Sequence, residues 1–167
     1  MYASRRDLGG GVVLSQIHEL DVLYWFFGRP RRIVSMGGHL SDLEIDVEDT
    51  ATLLLSFDSG AVGVVHLNMI ERPALRRCRI AGALGTLTWD AGSHNVRQFC
   101  AARDSWSDLY TGSDLDYSDA YLAEMKRFLD CVEGGAPVAV TGEDALRTLE
   151  IIDAAKRSAL EGRTVMI

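Results

Sequence analysis

Residues 9–28 read GGGVVLSQIHELDVLYWFFG, and this stretch decides how the first part of the chain folds. Three glycines lead into an apolar run whose spacing of three and four residues predicts a single helix over about 11–27. Gly28 is suited to end that helix, because glycine readily adopts the conformation found just after a helix. His18 and Asp21 lie one turn apart inside the run, where polar side chains need hydrogen-bond partners.

After this helix the sequence predicts antiparallel strands joined by short turns. A first strand is predicted over 31–38. The turn Asp58-Ser59-Gly60 separates two strand-like runs, and Gly82-Ala83-Leu84-Gly85 separates two more, as expected of hairpins. A further strand is predicted over 95–101, and the polar residues 103–119 are interpreted as a surface loop.

Two helices and a short closing strand complete the prediction. The first helix covers about 118–133, and the second begins at Thr141, whose spacing to Asp144 is typical of a capping box. The first of these helices is predicted to bury a stripe of Tyr121, Met125, Phe128, Leu129 and Val132. The second is predicted to turn inward Leu146, Leu149, Ile152 and Ala155.

This order of elements predicts an α+β fold, an open and mostly antiparallel sheet with helices packed on one face. The 167 residues are interpreted as one domain, 1–167. A doubly wound nucleotide-binding fold would instead alternate strand and helix, and the hairpins in series argue against it.

The composition indicates a globular protein with an acidic surface. Hydrophobic residues make up 47% of the chain, charged residues 25%, and the formal net charge is −7. This balance argues against nucleic acid or an anionic membrane as a partner. The three cysteines, Cys78, Cys100 and Cys131, show no paired motif, so we interpret them as reduced thiols and expect a cytoplasmic protein.

His18 and Asp21 are the first candidates for chemistry. A carboxylate one helical turn from an imidazole orients the ring and favours its protonated form, which suits a proton carrier at neutral pH. Spacing alone, however, favours a hydrogen-bonded structural histidine over a catalytic one. Arg72, in the predicted loop after residue 68, is a second candidate, as a donor to a polar substrate.

Other site classes receive little support. The four histidines, His18, His39, His66 and His94, do not show metal-ligand spacing, so we expect no metal site. The sequence lacks a nucleophile elbow around serine. The glycines 9–11 precede a helix but lack the Gly-x-Gly-x-x-Gly spacing and a preceding strand, so a tight turn explains them better than a phosphate site.

The chain as a whole resembles the C-terminal domain of the glucose–fructose oxidoreductase, inositol dehydrogenase and rhizopine-catabolism family (Gfo/Idh/MocA). The resemblance covers nearly the whole chain in the right order, and its most specific part runs from the glycines to Asp21. The matching segments are LGGGVVL at 8–14, IHELD at 17–21, YWFFG at 24–28, GALGTL at 82–87, TGEDAL at 141–146 and GRTV at 162–165.

The resemblance implies hydride transfer between a sugar or sugar-like substrate and NAD or NADP. A preceding Rossmann domain would bind the cofactor, and this domain would supply the substrate pocket and a homo-oligomer interface through the exposed sheet face. It also implies that His18 handles the proton of the substrate hydroxyl and that Asp21 orients His18 or the domain interface. Gln16 is then a candidate substrate-contact residue beside Arg72.

Two departures from the family limit this transfer. The family often has an aspartate four residues before the histidine, where this chain has Leu14. The Rossmann fingerprint and the Glu-Lys-Pro motif are absent from these residues, so we expect the chain alone to be inactive as a dehydrogenase. The alternative is a non-catalytic binding or dimerisation module that kept the fold.

Overall fold

The chain forms two compact units, residues 1–70 with 139–167 and residues 71–138, in a computed structural model that describes residues 1–112 and 117–167. The first unit contains the helices α1 (Val12–Ser15), α2 (Ile17–Phe27) and α4 (Gly142–Glu161) and the strands β1 (Pro30–Gly38), β2 (Thr50–Phe57), β3 (Val62–Asn68) and β8 (Val165–Met166). The second unit contains the strands β4 (Arg77–Gly82), β5 (Gly85–Asp90), β6 (Asn95–Cys100) and β7 (Ser105–Thr111) and the helix α3 (Tyr117–Gly134).

The first unit is built on an antiparallel sheet with strand order β3-β2-β1-β8. Successive side chains of a strand point to opposite faces, so one face of this sheet can be buried while the other stays open. The helices α2 and α4 contribute to the buried side. The core there includes Val12, Leu20, Ile33, Leu53, Leu55, Ile151, Ala155 and Val165.

The opposite face of this sheet, here called the outer face, is open. Its side chains form three rows of direct cross-strand partners on β1, β2 and β3. These rows are Val34, Leu54 and Val64; Met36, Thr52 and His66; and Arg32, Ser56 and Val62. Several apolar members are largely exposed, with Met36 at 74% and Val64 at 70%, and none of the nine residues is acidic.

The predicted turn between β2 and β3 and the predicted helix ends are confirmed. Gly28 and Gly60 have positive φ where they end α2 and turn the β2–β3 hairpin, as their positions predict. Thr141 and Asp144 form the predicted capping box of α4, and Gly162 ends that helix in the left-handed conformation. These signals depend only on neighbouring residues, so the sequence contains them in full.

The second unit contains a second antiparallel sheet, with strand order β4-β5-β6-β7. The α+β class and the open antiparallel sheets are confirmed, although the strands divide into two four-stranded sheets where one sheet was expected. No helix among the described residues is long and apolar enough to cross a membrane.

The prediction of a surface loop over 103–119 is wrong. Residues 105–111 form β7, and α3 begins at Tyr117, while residues 113–116 of that predicted loop lie outside the described residues. All of β7 is exposed at the sheet edge, so it lacks the alternation of buried and polar residues that marks a strand in sequence. Trp106 of β7 packs on Phe99 of β6 with ring centroids 5.5 Å apart.

The predictions of which faces of α3 and α4 are buried are correct only in part. The stripe predicted to be buried on α3, here called the α3 stripe, is exposed in the structure; it consists of Tyr121, Met125, Phe128, Leu129 and Val132. Helical spacing identifies an apolar face but does not show whether another part of the protein covers it. On α4, Ile152 and Ala155 are buried as predicted, but Leu146 and Leu149 are 53% and 47% exposed. The inward line instead includes the polar residues Thr148 and Ser158, which are satisfied by hydrogen bonds.

The single helix predicted over 11–27 is also corrected, because it breaks into α1 and α2. Gln16 stands at the break with φ −109° and ψ 34°, outside the helical region. This break lies two residues before His18 and places that residue in the first turn of α2.

Candidate functional site

The glycine turn before α1, formed by Gly9, Gly10 and Gly11, is explained by its backbone conformation and by close packing. Gly11 has φ +112°, and a side chain built there would overlap the carboxylate of Glu48. At Gly10, an added Cβ would lie 2.6–2.7 Å from carbonyl oxygens of the preceding turns. Gly10 is therefore required by the close approach of backbone, whereas Gly9 and Gly11 adopt positive φ values that glycine permits.

A carboxylate of the chain itself lies at the N-terminus of α1. The amide of Val12 donates to the carbonyl oxygen of Glu48 at 2.9 Å, and the amide of Val13 lies 3.4 Å from Glu48 Oε1. An acidic side chain at a helix N-terminus is favourable, and it takes the place that a phosphate would need. The residues of this turn therefore do not fit a dinucleotide.

Gln16 joins the helix break to the sheet. Its side-chain amide donates to the carbonyl oxygen of Asn68, at the end of β3, at 3.1 Å. This bond spans 52 residues of sequence, and it fixes the start of α2 relative to β3. The family resemblance implied Gln16 as a candidate substrate contact, which stays a prediction, and the structure gives it this structural bond.

His18 lies in the first turn of α2 with an exposed ring. Its side chain is 56% exposed, and its Nε2 lies 3.9 Å from a carboxylate oxygen of the neighbouring Glu19. The imidazole is therefore accessible to a ligand, as a proton-transfer residue must be.

Asp21 points to α4. Its carboxylate accepts a hydrogen bond from the hydroxyl of Thr148 at 2.9 Å, and Thr148 is only 2% exposed. Within the described part of the chain, no hydrogen bond joins Asp21 to His18. The predicted orientation of His18 by Asp21 therefore has no direct hydrogen bond behind it in the structure, and the catalytic role of Asp21 stays a prediction.

A second bond strengthens the contact between α2 and α4. The phenol of Tyr24 donates to Asp144 Oδ1 at 3.1 Å. Backbone and side-chain hydrogen bonds from Thr141, with this bond from Tyr24, lower the pKa of the Asp144 carboxyl. Asp21 and Tyr24, one turn apart, therefore hold α2 on the first turns of α4.

Arg72 lies in the second unit, in the segment between β3 and β4. Its guanidinium donates to the backbone carbonyl of Glu71 at 2.8 Å, and it makes further interactions. Its predicted contact with a substrate stays a prediction.

Sequence reasoning missed two contributors to this region. Glu48 and Thr148 act through contacts that span more than thirty residues, so local patterns contain no trace of them. Ser15, just before the helix break, has a buried hydroxyl oxygen without a hydrogen-bond partner. Among the described residues, no group of three or more His, Cys, Asp or Glu side chains is arranged to hold a metal ion.

Comparison with known proteins identifies the family. The model of the oxidoreductase family C-terminal alpha/beta domain (Gfo/Idh/MocA) matches residues 3–167. The myo-inositol 2-dehydrogenase of Thermotoga maritima is 34% identical over 96% of this chain and 50% of its own length. The inositol 2-dehydrogenase of Rhizobium meliloti is 41% identical over 90% of this chain and 48% of its own length.

A solved structure shows the same fold. Levoglucosan dehydrogenase, in complex with NADH and levoglucosan, superposes with a TM-score of 0.90 at 17% identity, covering all of this chain and 53% of that one. The chain spans about half the length of the curated relatives it matches. By fold and by sequence, it belongs to the Gfo/Idh/MocA oxidoreductase family and corresponds to the family's C-terminal alpha/beta domain.

Proposed function

We propose that this chain is the substrate-binding and oligomerisation domain of an NAD(P)-dependent oxidoreductase that acts on a sugar or sugar-like substrate by hydride transfer. The family assignment and the inositol dehydrogenase relatives support the reaction class. The observation that carries the proposal is the accessible ring of His18 on a helix start whose two sides are fixed by hydrogen bonds.

His18 handles the proton in this proposal. Oxidation of an alcohol carbon releases a hydride and a hydroxyl proton, and a nicotinamide held by a nucleotide-binding half supplies the hydride acceptor. The imidazole of His18 takes the hydroxyl proton, and in the reverse direction it returns the proton. An accessible ring on a well-anchored helix suits that task, because catalysis depends on position.

The neighbouring residues position His18. Gln16 ties the start of α2 to Asn68, and Asp21 ties the next turn to Thr148, so the backbone that carries His18 is held from two directions. The amide of Gln16 has a second hydrogen that suits a substrate hydroxyl. The candidate role of Arg72 as a donor to a polar substrate stays a separate prediction from the sequence.

The cofactor requirement limits what the chain does by itself. The glycine turn before α1 is filled by Glu48, so NAD or NADP would be held by the half of the relatives that this chain does not span. A hydride then has no acceptor in this chain, and we expect no dehydrogenase activity from it alone.

The outer face suits contact with a second copy of the chain. Its apolar rows are exposed, and contiguous exposed apolar surface of this kind marks interaction sites. A two-fold axis would place the same face of each copy against the other, as is usual in homodimers.

The alternative is a non-catalytic binding or dimerisation module. Leu14, at the position where the family often has an aspartate, packs against the hydrophobic core of the first unit. An apolar side chain used in this way contributes no charge to a site. Under this alternative, the fold and the outer face persist while the proton chemistry is lost.

The test uses the longer polypeptide in which a nucleotide-binding half precedes this chain. Nicotinamide absorbance is followed over a panel of inositols, aldoses and anhydrosugars for the wild type and for His18→Gln. We expect kcat to fall on the order of 100-fold or more, because general acid–base catalysis contributes about that much. Affinity for NAD, measured by fluorescence titration, should be unchanged.

A matched histidine provides the control. His39 is also exposed and lies in the loop after β1, where its Nε2 is 3.8 Å from a carboxylate oxygen of Asp49. Glutamine keeps a polar group beside that carboxylate, so His39→Gln should leave turnover within about twofold of the wild type. Equal turnover of His18→Gln and the wild type would make His18 structural. A wild type that binds NAD but turns over none of the panel would favour the non-catalytic module.

A further inference from the structure

The carboxylate that stands beside the imidazole of His18 is that of Glu19. Nε2 of His18 lies 3.9 Å from Oε1 of Glu19, which is within the range of an ion pair once the ring takes a proton. Residues adjacent in an α-helix project about 100° apart and do not normally face each other. The two side chains are turned towards one another here, and both belong to α2, so the contact lies entirely within the first unit.

The other positions near His18 that could supply a charge are used differently. Asp21 accepts a hydrogen bond from the hydroxyl of Thr148 at 2.9 Å. Leu14, one turn before His18, is apolar and packs against the core of the first unit. Among positions 14, 19 and 21, all of which the structure describes, only Glu19 brings a carboxylate oxygen within 4 Å of a ring nitrogen.

The backbone at the start of α2 holds this pair in place. The carbonyl oxygen of Gln16, at the break between α1 and α2, accepts a hydrogen bond from the amide of Glu19 at 3.1 Å. The side-chain amide of Gln16 donates to the carbonyl oxygen of Asn68, so this turn is tied to the end of β3. A carboxylate on an anchored turn keeps its place while the ring changes charge, which is the condition for electrostatic stabilisation of a proton transfer.

We infer that Glu19 is the carboxylate partner of His18 and acts as a positioning residue in the proton transfer of the proposed function, on which this inference rests. When the substrate is oxidised, its hydroxyl O–H bond breaks and the proton joins an imidazole nitrogen. The hydride of the hydroxyl-bearing carbon passes to the nicotinamide, and a carbonyl group forms. The ring then carries a positive charge, which the negative charge of Glu19 stabilises, and in the reverse direction the imidazolium returns the proton.

The strength of this stabilisation depends on water around the ring. The attraction between two charges about 4 Å apart is weak in bulk water and rises several-fold as the effective dielectric constant falls. The side chain of His18 is 56% exposed in this structure, and a substrate bound against it displaces water. The effect of Glu19 should therefore be larger during turnover than in the free protein.

A purely structural role for Glu19 makes different predictions. An acidic residue in the first turn of a helix interacts favourably with the helix dipole, and Glu19 also makes further interactions. Glu143 is exposed and lies in the first turn of α4, so it is the matched control for a charge at a helix start. If Glu19 serves only its helix, Glu19→Gln and Glu143→Gln should behave alike.

The first experiment measures turnover in the longer polypeptide that contains a nucleotide-binding half. Glu19→Gln should lower kcat about 10-fold and leave KM within about twofold, because the lost charge acts on the transition state. Glu143→Gln should match the wild type. When His18→Gln is already present, Glu19→Gln should cause no further loss, since Glu19 acts through His18. A further loss of similar size in that background, or a kcat of Glu19→Gln equal to that of the wild type, would overturn the inference.

The second experiment does not depend on turnover. Protonation of the His18 ring is followed against pH by nitrogen NMR of the same polypeptide, and its signals are assigned by their loss in His18→Gln. Glu19→Gln should lower the proton affinity of the ring about twofold to fivefold, the range expected for exposed ion pairs. Glu143→Gln should leave this affinity unchanged. Equal proton affinities in Glu19→Gln and the wild type would contradict the pairing.

Failure of the proposed function gives a different result. A polypeptide that binds NAD and shows the expected change in proton affinity, but oxidises no member of the panel, would remove the dehydrogenase assignment and leave the pairing of Glu19 with His18 in place. An active polypeptide in which Glu19→Gln does not alter the proton affinity of His18 would keep the function and overturn the pairing.

Discussion

At the scale of single residues, Asp49 is an important structural residue, although the sequence shows it only as one of several acidic residues in the loop between β1 and β2. It is fully buried and accepts hydrogen bonds from the backbone amides of Leu40 and Ser41 and from the hydroxyls of Ser41 and Thr50. Burial raises the pKa of the Asp49 carboxyl, but these hydrogen bonds outweigh burial and lower the pKa to about 2. The carboxylate thereby anchors the loop between β1 and β2.

The first prediction follows from that pKa. The folded value of about 2 lies below the ordinary 3.8, so the carboxylate contributes stability above about pH 4 that is lost as pH falls towards 2. The shift corresponds to about 2 kcal/mol. Asp49→Asn should lower the free energy of unfolding at pH 7 by about 2–4 kcal/mol, because an amide cannot accept all these bonds. Urea denaturation from pH 7 to pH 2.5 measures it.

The control for this prediction lies in the same loop. Asp42 is exposed, so Asp42→Asn should change stability by less than about 0.5 kcal/mol. The stability gap between Asp49→Asn and the wild type should narrow as pH falls from 4 to 2. A gap that is constant over that range would contradict the assigned role of the carboxylate.

The candidate site was predictable from sequence only in part, and the range of each contact explains why. His18 and Asp21 stand out because they are polar residues within an apolar run. The partner of Asp21 is Thr148, 127 residues away, and no local pattern connects them. Glu48 is equally hidden, because its carboxylate reaches the start of α1 from a distant loop.

At the scale of elements, the start of α1 depends on the absence of a side chain at Gly11. Its φ of +112° disfavours any other residue, and an added methyl group would overlap the Glu48 carboxylate. Gly11→Ala should therefore lower the free energy of unfolding by about 1–3 kcal/mol, mainly from backbone strain, because the Glu48 carboxylate is the end of a flexible side chain and can move aside. Thermal and urea unfolding measure the loss.

Gly142 is the matched control for this prediction. It begins α4 in open space, with ordinary φ, so an alanine there meets nothing. Gly142→Ala should be neutral or stabilise by up to about 1 kcal/mol, because alanine restricts the unfolded chain and favours helix. Equal effects of the two substitutions would show that the glycine turn does not require its conformation.

The elements themselves were predictable where their signals are local. The hairpin at Asp58–Gly60, the capping box at Thr141 and the helix end at Gly28 depend on neighbouring residues, and all three are confirmed. The strand β7 escaped prediction because it lies exposed at a sheet edge, where no buried face imposes alternation. Burial of a helical face depends on distant chain, so the α3 stripe could be recognised but its exposure could not.

At the scale of the whole molecule, charge is distributed so that the outer face avoids acidic residues. The chain contains 24 Asp and Glu residues and has a net charge of −7, yet none of the nine outer-face residues is acidic. The net charge of −7 opposes association of two copies, and a contact through the outer face would bring mainly apolar rows together without placing acidic side chains against each other. This distribution favours the outer face as the contact between copies.

The last prediction tests that contact with a charge at its centre. Leu54 lies in the middle row, 48% exposed, so Leu54→Glu would bury two unpaired carboxylates in a two-fold interface. Sedimentation velocity over a range of concentrations should show a dimer or larger oligomer for the wild type. The Leu54→Glu protein should be monomeric, or its association should be weakened on the order of 100-fold.

The control substitution is Leu160→Glu, on the exposed end of α4, and this protein should associate like the wild type. All three proteins should carry Phe128→Asp, so that the α3 stripe contributes no association of its own. Unchanged association of the Leu54→Glu protein would remove the outer face from the interface, and a monomeric reference protein would remove self-association altogether.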